Sequence, residues 1–185
     1  MKPNIFFVVS LPRTGTRSLC EMAQMCNLNP LHVLYKVRNY QNAPFSDIIK
    51  NGVNFFSDTP FYNHYFLNSI IEYGIQEQFN IKFIYSIRAY WGWKKSFDKM
   101  INDEWRPKNK YKVLSRIDYL DYINYQYIYQ YYHNTDDHLK DIQLVSEIYN
   151  IPILLYSFDV GWEPFCDFIE KPIPKTGIPH IKVSV

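Results

Sequence analysis

Apolar and polar positions alternate in blocks along this chain, and the blocks predict strands separated by helices. The run Ile5-Phe6-Phe7-Val8-Val9 is apolar at every position. It is too short for a membrane span and suits a strand covered on both faces. A strand is therefore expected over about 4–10, followed by helical spacing from Thr16 to about Asn27. A weaker helical pattern near Phe45–Asn51 precedes a strand at Val53–Ser57. Pro60 then sits near the start of a helical pattern that runs through Ile75, a place where proline is tolerated. A strand at 81–87 leads into a helix through Trp91–Ile101, then a charged, aperiodic loop at 103–115. Helices at Ile117–Tyr132 and Asp136–Tyr149, broken near His133-Asn134-Thr135, precede a last strand at 152–157 and a short helix over 161–169.

Strands separated by helices imply a mostly parallel sheet with right-handed crossovers and helices on both faces. The expected fold is thus α/β, a three-layer sandwich. Ligands in such sheets bind beyond the carboxyl ends of the strands. At 185 residues the chain is expected to form a single domain over 1–185, with no linker or repeat. A core of that size buries roughly 70% of the unfolded surface without disulfides. Cys20, Cys26 and Cys166 are odd in number and lack C-x-x-C spacing, so they read as buried thiols in a reducing, cytoplasmic setting. The five histidines are scattered, which predicts no metal site. Lys+Arg 20 against Asp+Glu 18 does not call for nucleic acid. Basic residues still crowd the stretch from Lys94 to Arg116, read as a solvated loop or as a steering surface for an anion. The Tyr-rich run 119–132 reads as an amphipathic helix with phenols at its surface.

The chemistry begins directly after the first strand. Ser10-Leu11-Pro12-Arg13-Thr14-Gly15-Thr16-Arg17-Ser18 joins a buried strand to a helix start, the layout of a phosphate cradle. Helix N-termini offer unpaired N–H groups and a positive dipole end to an anion. The loop is not a nucleoside-triphosphate loop of the G-x-x-x-x-G-K-[ST] kind, which would need Lys at Thr16 and a hydroxyl at Arg17. Its cation is Arg13, inside the loop, so a phosphate ester handled without metal is expected.

Pro12-Arg13-Thr14-Gly15-Thr16 resembles the 5′-phosphosulfate loop of sulfotransferases that use 3′-phosphoadenosine 5′-phosphosulfate (PAPS). Arg17 departs from that pattern, standing where a second hydroxyl is common, with Ser18 one place later. A second match is the strand at 81–87 followed by Arg88 and, eight residues on, Ser96, similar to the family's 3′-phosphate site. Arg supplies a forked, permanent cation, and a Ser two helical turns further on adds a hydroxyl from the same side. Arg88-Ala89-Tyr90 departs from the family's frequent Arg-Asp-Pro. The third match is Trp162-Glu163-Pro164-Phe165-Cys166-Asp167-Phe168-Ile169 and the Pro-rich tail to Pro179-His180. The family's Arg-Lys-Gly segment is absent there, and Lys175, Gly177 and Lys182 are candidate replacements.

The resemblance implies a P-loop NTPase-like fold and transfer of a sulfuryl group from PAPS, releasing 3′-phosphoadenosine 5′-phosphate (PAP). It places the nucleotide on Arg13, Thr14, Gly15, Thr16, Arg17, Ser18, Arg88 and Ser96. The acceptor would be a hydroxyl or amine of a small molecule or glycan, with neither nucleic acid nor a membrane span involved. Sulfuryl transfer requires in-line geometry, removal of the acceptor's proton and stabilisation of the leaving phosphate. Arg13 and Thr16 suit the last task. Family members place a catalytic His or carboxylate just after the 53–57 strand, which selects Asp58 first and His64 second. His133, His138 and His180 have weaker claims. Asp58 before Thr59-Pro60 also reads as a helix cap. The alternatives are a metal-independent nucleotide-binding module and a small phosphotransferase with a degenerate P-loop.

Overall fold

A computed structural model of the chain describes residues 2–32, 45–58, 61, 64–99 and 135–179. The elements run β1 (Asn4–Val8), α1 (Thr16–Met25), β2 (Pro30–His32), α2 (Phe45–Lys50), β3 (Phe55–Ser57), α3 (His64–Gln76) and β4 (Asn80–Ser86). They continue as α4 (Tyr90–Lys99), α5 (Thr135–Tyr149), β5 (Ile153–Tyr156), a single 3-10 turn at Phe158–Val160 and α6 (Glu163–Ile169). Among the described residues the sheet has five strands in the order β2-β3-β1-β4-β5, and every pairing is parallel.

Alternation within the strands explains their unbroken apolar sequence. Phe7 lies in register with Phe56 on one side and Phe83 on the other. With Ile5, Val9 and Tyr85 these residues form one core, closed by Ile48 of α2, Leu67, Ile70 and Ile71 of α3, and Ile142 and Val145 of α5. The alternate positions Phe6, Val8, Phe55 and Ile84 face a second core, closed by Leu19, Met22 and Ala23 of α1 and by Phe165, Cys166 and Ile169 of α6. A strand buried on both faces has no position for a polar residue, so its periodicity of two disappears from the sequence. Three layers result, as expected for an α/β sandwich of the P-loop type.

Lys82 is the exception that the α6 end accommodates. It is buried in β4, with its Nζ over the Phe6 and Phe168 rings, 5.9 and 5.4 Å from their centroids. Its Nζ donates to Phe168 O at 3.2 Å and to Glu170 Oε1 at 2.5 Å. The charged head thus ties down the end of α6 while the methylenes stay in the core.

The four expected strands are present, and the structure adds a fifth. β2 has three residues, begins at a proline and lies at the sheet edge. Proline is confined to such edges because it cannot donate to the ladder, and three residues give no pattern to read. α1 ends at Met25, where Cys26 caps it and Asn27 turns to φ 59. The expected loop at 103–115, the helix at 117–132 and the break at 133–134 lie outside the described residues, as does Pro60. Among the described residues no helix is long and apolar enough to cross a membrane.

Candidate functional site

Parallel strands bring all their carboxyl ends to one edge, and that edge carries the polar residues singled out by sequence. The loop after β1 is held by a row of side-chain donors. Leu11 O accepts from Thr14 Oγ1 at 2.7 Å, and Pro12 O from Trp93 Nε1 at 2.9 Å. Arg13 O accepts from Arg88 Nη1 and Thr14 O from Ser86 Oγ, each at 2.5 Å. Four successive carbonyls are thereby turned toward donors from the loop itself, β4, the segment after it and α4. Gly15, at φ 100, caps α1 without a side-chain hydrogen bond, and the first turn of α1 holds no acidic residue. The helix therefore presents its positive end without an acidic side chain of its own first turn. Ser10 Oγ, fully buried, is without a hydrogen-bond partner among the described residues. An uncapped helix start beside an orphaned hydroxyl suits an anionic ligand.

Gly15 is required twice over. Its φ is one that L side chains avoid, and a Cβ there would stand 2.4 Å from Cε2 of Phe158. Phe158 in turn lies edge-on to the buried Tyr156, so the end of β5 packs directly on the loop. Of the non-glycine residues with positive φ, Arg13 at 71° and Asp58 at 67° lie at this edge. Such conformations persist where the surroundings impose them, commonly at sites of function.

The two phosphate motifs expected from sequence converge. Arg13 Nε donates to Ser96 Oγ at 3.2 Å, while Arg88 reaches back to the Arg13 carbonyl. Ser96, which the resemblance assigns with Arg88 to a 3′-phosphate, thus also touches the loop cation. Arg88 has its pKa lowered, first by loss of hydration and then by the charge of Arg13. Two guanidiniums forced together in this way favour an anion between or beside them.

On the other side of the loop, Asp58 is buried and accepts from Thr16 Oγ1 at 3.1 Å. The described α3 begins at His64, so Asp58 is not the residue flanking that helix; its own carbonyl instead closes a turn to Phe61 N at 2.8 Å. A residue unmarked by sequence joins it. His32, at the end of β2, places Nε2 3.7 Å from Asp58 Oδ2 and Nδ1 2.9 Å from Ser57 Oγ. Ser57 Oγ also meets Cys20 Sγ at 3.0 Å. Burial pushes the Cys20 thiol up to about 12, the Ser57 hydrogen bond opposing this, so the thiol is neutral. His32 gave no signal because its strand is too short to be seen; only a strand end would have marked it.

The remaining candidates fall elsewhere. Arg17 is exposed on α1, and Ser18 is buried within it. His138 is fully buried and pairs with Tyr85 Oη at 3.1 Å, on the core side of the sheet. Lys175 and Gly177 are exposed on the tail that Trp162 Nε1 holds through Thr176 O at 2.8 Å, and no described contact joins them to the loop. His64 opens α3, but its side chain, like His133, His180 and Lys182, lies outside the described residues. No group of three or more metal-ligating side chains is assembled among the described residues.

The family model for the sulfotransferase domain matches residues 6–184, from β1 through the C-terminal tail. The chain belongs to the sulfotransferase domain family. A comparison with curated proteins gives no match. Family membership gives the chain its general chemistry, sulfuryl transfer, and the five-stranded parallel sheet is consistent with the family's P-loop-like sandwich.

Proposed function

We propose that this sulfotransferase takes its sulfuryl group from PAPS and passes it to a hydroxyl or amine of a small molecule or glycan, releasing PAP. The observation that carries the reading is the convergence of Arg13, Arg88 and Ser96, residues far apart in sequence, around the uncapped start of α1. A nucleotide with phosphates at both its 5′ and 3′ ends matches two cations and a helix N-terminus on one edge. Arg13, Thr14, Gly15, Thr16 and Ser18 would serve the 5′ end, with Arg17 at its rim. Arg88 and Ser96 would serve the 3′-phosphate, with Lys175 and Gly177 as contributors from the tail.

In this reading Asp58 removes the acceptor's proton. The new bond to sulfur forms as the bond from sulfur to the donor's phosphate breaks, and the phosphate leaves with the electron pair. Arg13 and the helix end stabilise that charge, which is worth most in the transition state. His64 is the second choice for the base. The chain acts as one domain over 1–185, and its three free cysteines support a reducing, cytoplasmic setting.

Calorimetry without Mg²⁺ tests the reading. PAP is expected to bind about ten- to hundredfold more tightly than 5′-AMP, the worth of one charge-assisted pair of roughly 1.5–3 kcal/mol. Equal affinity for the two, or a strict need for metal, overturns it.

A further inference from the structure

The geometry points to His32 as the positioning residue for Asp58, set by a row of hydrogen-bond contacts from Cys20 to Ser57 and from Ser57 to His32, with the far ring nitrogen at ion-pair distance from Asp58. The inference rests on the reading of Asp58 as base given above. The direction of the row follows from counting protons. Cys20 is a neutral thiol, so its S–H can donate to Ser57 Oγ across their 3.0 Å contact. Ser57 has one proton to give and three acceptors in reach, Thr16 O at 3.5 Å, Cys20 Sγ at 3.0 Å and His32 Nδ1 at 2.9 Å. The imidazole nitrogen wins, being the nearest of the three and a far better acceptor than sulfur. Nδ1 is then the acceptor, and the neutral ring carries its proton on Nε2, the nitrogen that faces Asp58 Oδ2 at 3.7 Å.

Asp58 Oδ2 therefore accepts from Thr16 O–H at 3.1 Å and is faced by the His32 N–H at 3.7 Å. The hydrogen bond and the facing imidazole together fix the rotation of the carboxylate toward the acceptor. The His32 side chain is 26% exposed and that of Asp58 11%, so the imidazole is the more open of the pair. In the transfer step the acceptor loses its proton to Asp58, the bond from acceptor to sulfur replaces the bond from sulfur to phosphate, and His32 keeps its own proton. Glu21 of α1 is the other titratable group acting on Cys20, and it bears on the far end of the row.

The test combines three measurements on the full chain. Turnover is read as PAP released from PAPS with water as acceptor. His32→Ala is expected to lower kcat about ten- to hundredfold with PAP affinity unchanged, and His32→Gln, which keeps an N–H donor, recovers much of that loss. Asp58→Asn, which tolerates the positive φ, is expected to lower kcat about 10²–10⁴-fold. Adding His32→Ala to it should cost nothing more, because the two act as a unit. Imidazole ¹⁵N spectra, assigned by loss of the signal in His32→Gln, should show the Nε2–H form in the wild type and a mixture in Ser57→Ala. Wild-type turnover in His32→Ala, multiplicative losses in the double variant, or an Nδ1–H ring in the wild type each overturn the inference. If the wild-type chain binds no PAP, the donor reading falls by itself, and the spectra still decide the row.

Discussion

Replacing Arg13 by Gly and by Ala separates what this residue does for chemistry from what its backbone costs the fold. Arg13 sits at φ 71, in the left-handed region, while its guanidinium touches Ser96. Both substitutions remove the hydrogen bond to Ser96, and both relieve the repulsion that acts on Arg88. Those effects cancel when the two variants are compared with each other. What differs is the backbone. A non-glycine residue in the left-handed region costs about 1–2 kcal/mol, whereas glycine adds about 0.4–1 kcal/mol of unfolded-state entropy. The Gly variant should therefore be more stable than the Ala variant by about 0.5–1 kcal/mol. For a chain of this size, where 1 kcal/mol moves Tm by about 2–4 °C, the gap is about 1–4 °C. Thermal unfolding followed by circular dichroism in one buffer measures it, and PAP release from PAPS measures turnover in parallel. Both variants should lose turnover to the same extent. An Ala variant that melts at or above the Gly variant refutes the claim that the loop imposes a strained backbone on its own cation.

Three further outcomes follow from the same geometry. Gly15→Ala should cost about 2–4 kcal/mol, from its positive φ and the approach to Phe158, and adding Phe158→Leu should return only the packing share; chemical denaturation of the single and double variants checks both parts. Arg88→Ala should weaken PAP about ten- to hundredfold and 5′-AMP several-fold, since it loses a phosphate fork and also the brace on Arg13 O; equal losses in calorimetry would leave Arg88 with the brace alone. Glu170 is held below its ordinary value of 4.5, first by the hydrogen bond and then by the charge of Lys82. Its contribution to stability is complete above that value and is lost as pH falls through the lower, folded one, so Glu170→Gln should flatten the acid limb of a Tm-against-pH curve.

The sheet and its loop were legible because they are local. An unbroken apolar run followed by Pro12-Arg13-Thr14-Gly15-Thr16 states a buried strand and a turn within a dozen residues. Arg88 and Ser96 were legible for the same reason, one strand end and one helix face. Their relation to Arg13 was not, since the Arg13–Ser96 hydrogen bond spans 83 positions and arises only when β4 lies beside β1. Sequence thus separates two motifs that the fold places in contact. Asp58 could be read as a strand end or a helix cap, and the choice depends on Thr16, 42 positions away. His32 was invisible because an edge strand of three residues opened by proline has no period. The fifth strand and the second half of the Asp58 environment escaped together.

A hydroxyl carries one proton, and Thr16 has two claims on it. In the structure that proton belongs to Asp58; the reading proposed for the loop gives it to the donor's 5′ end. Both claims cannot be met at once. A nucleotide that recruits Thr16 takes away the hydroxyl that Asp58 Oδ2 accepts from in the empty site. That oxygen can then accept from an incoming hydroxyl or amine once the sulfuryl group is already in place. One shared proton would set the order of events, with donor before acceptor, and no part of the sheet need move.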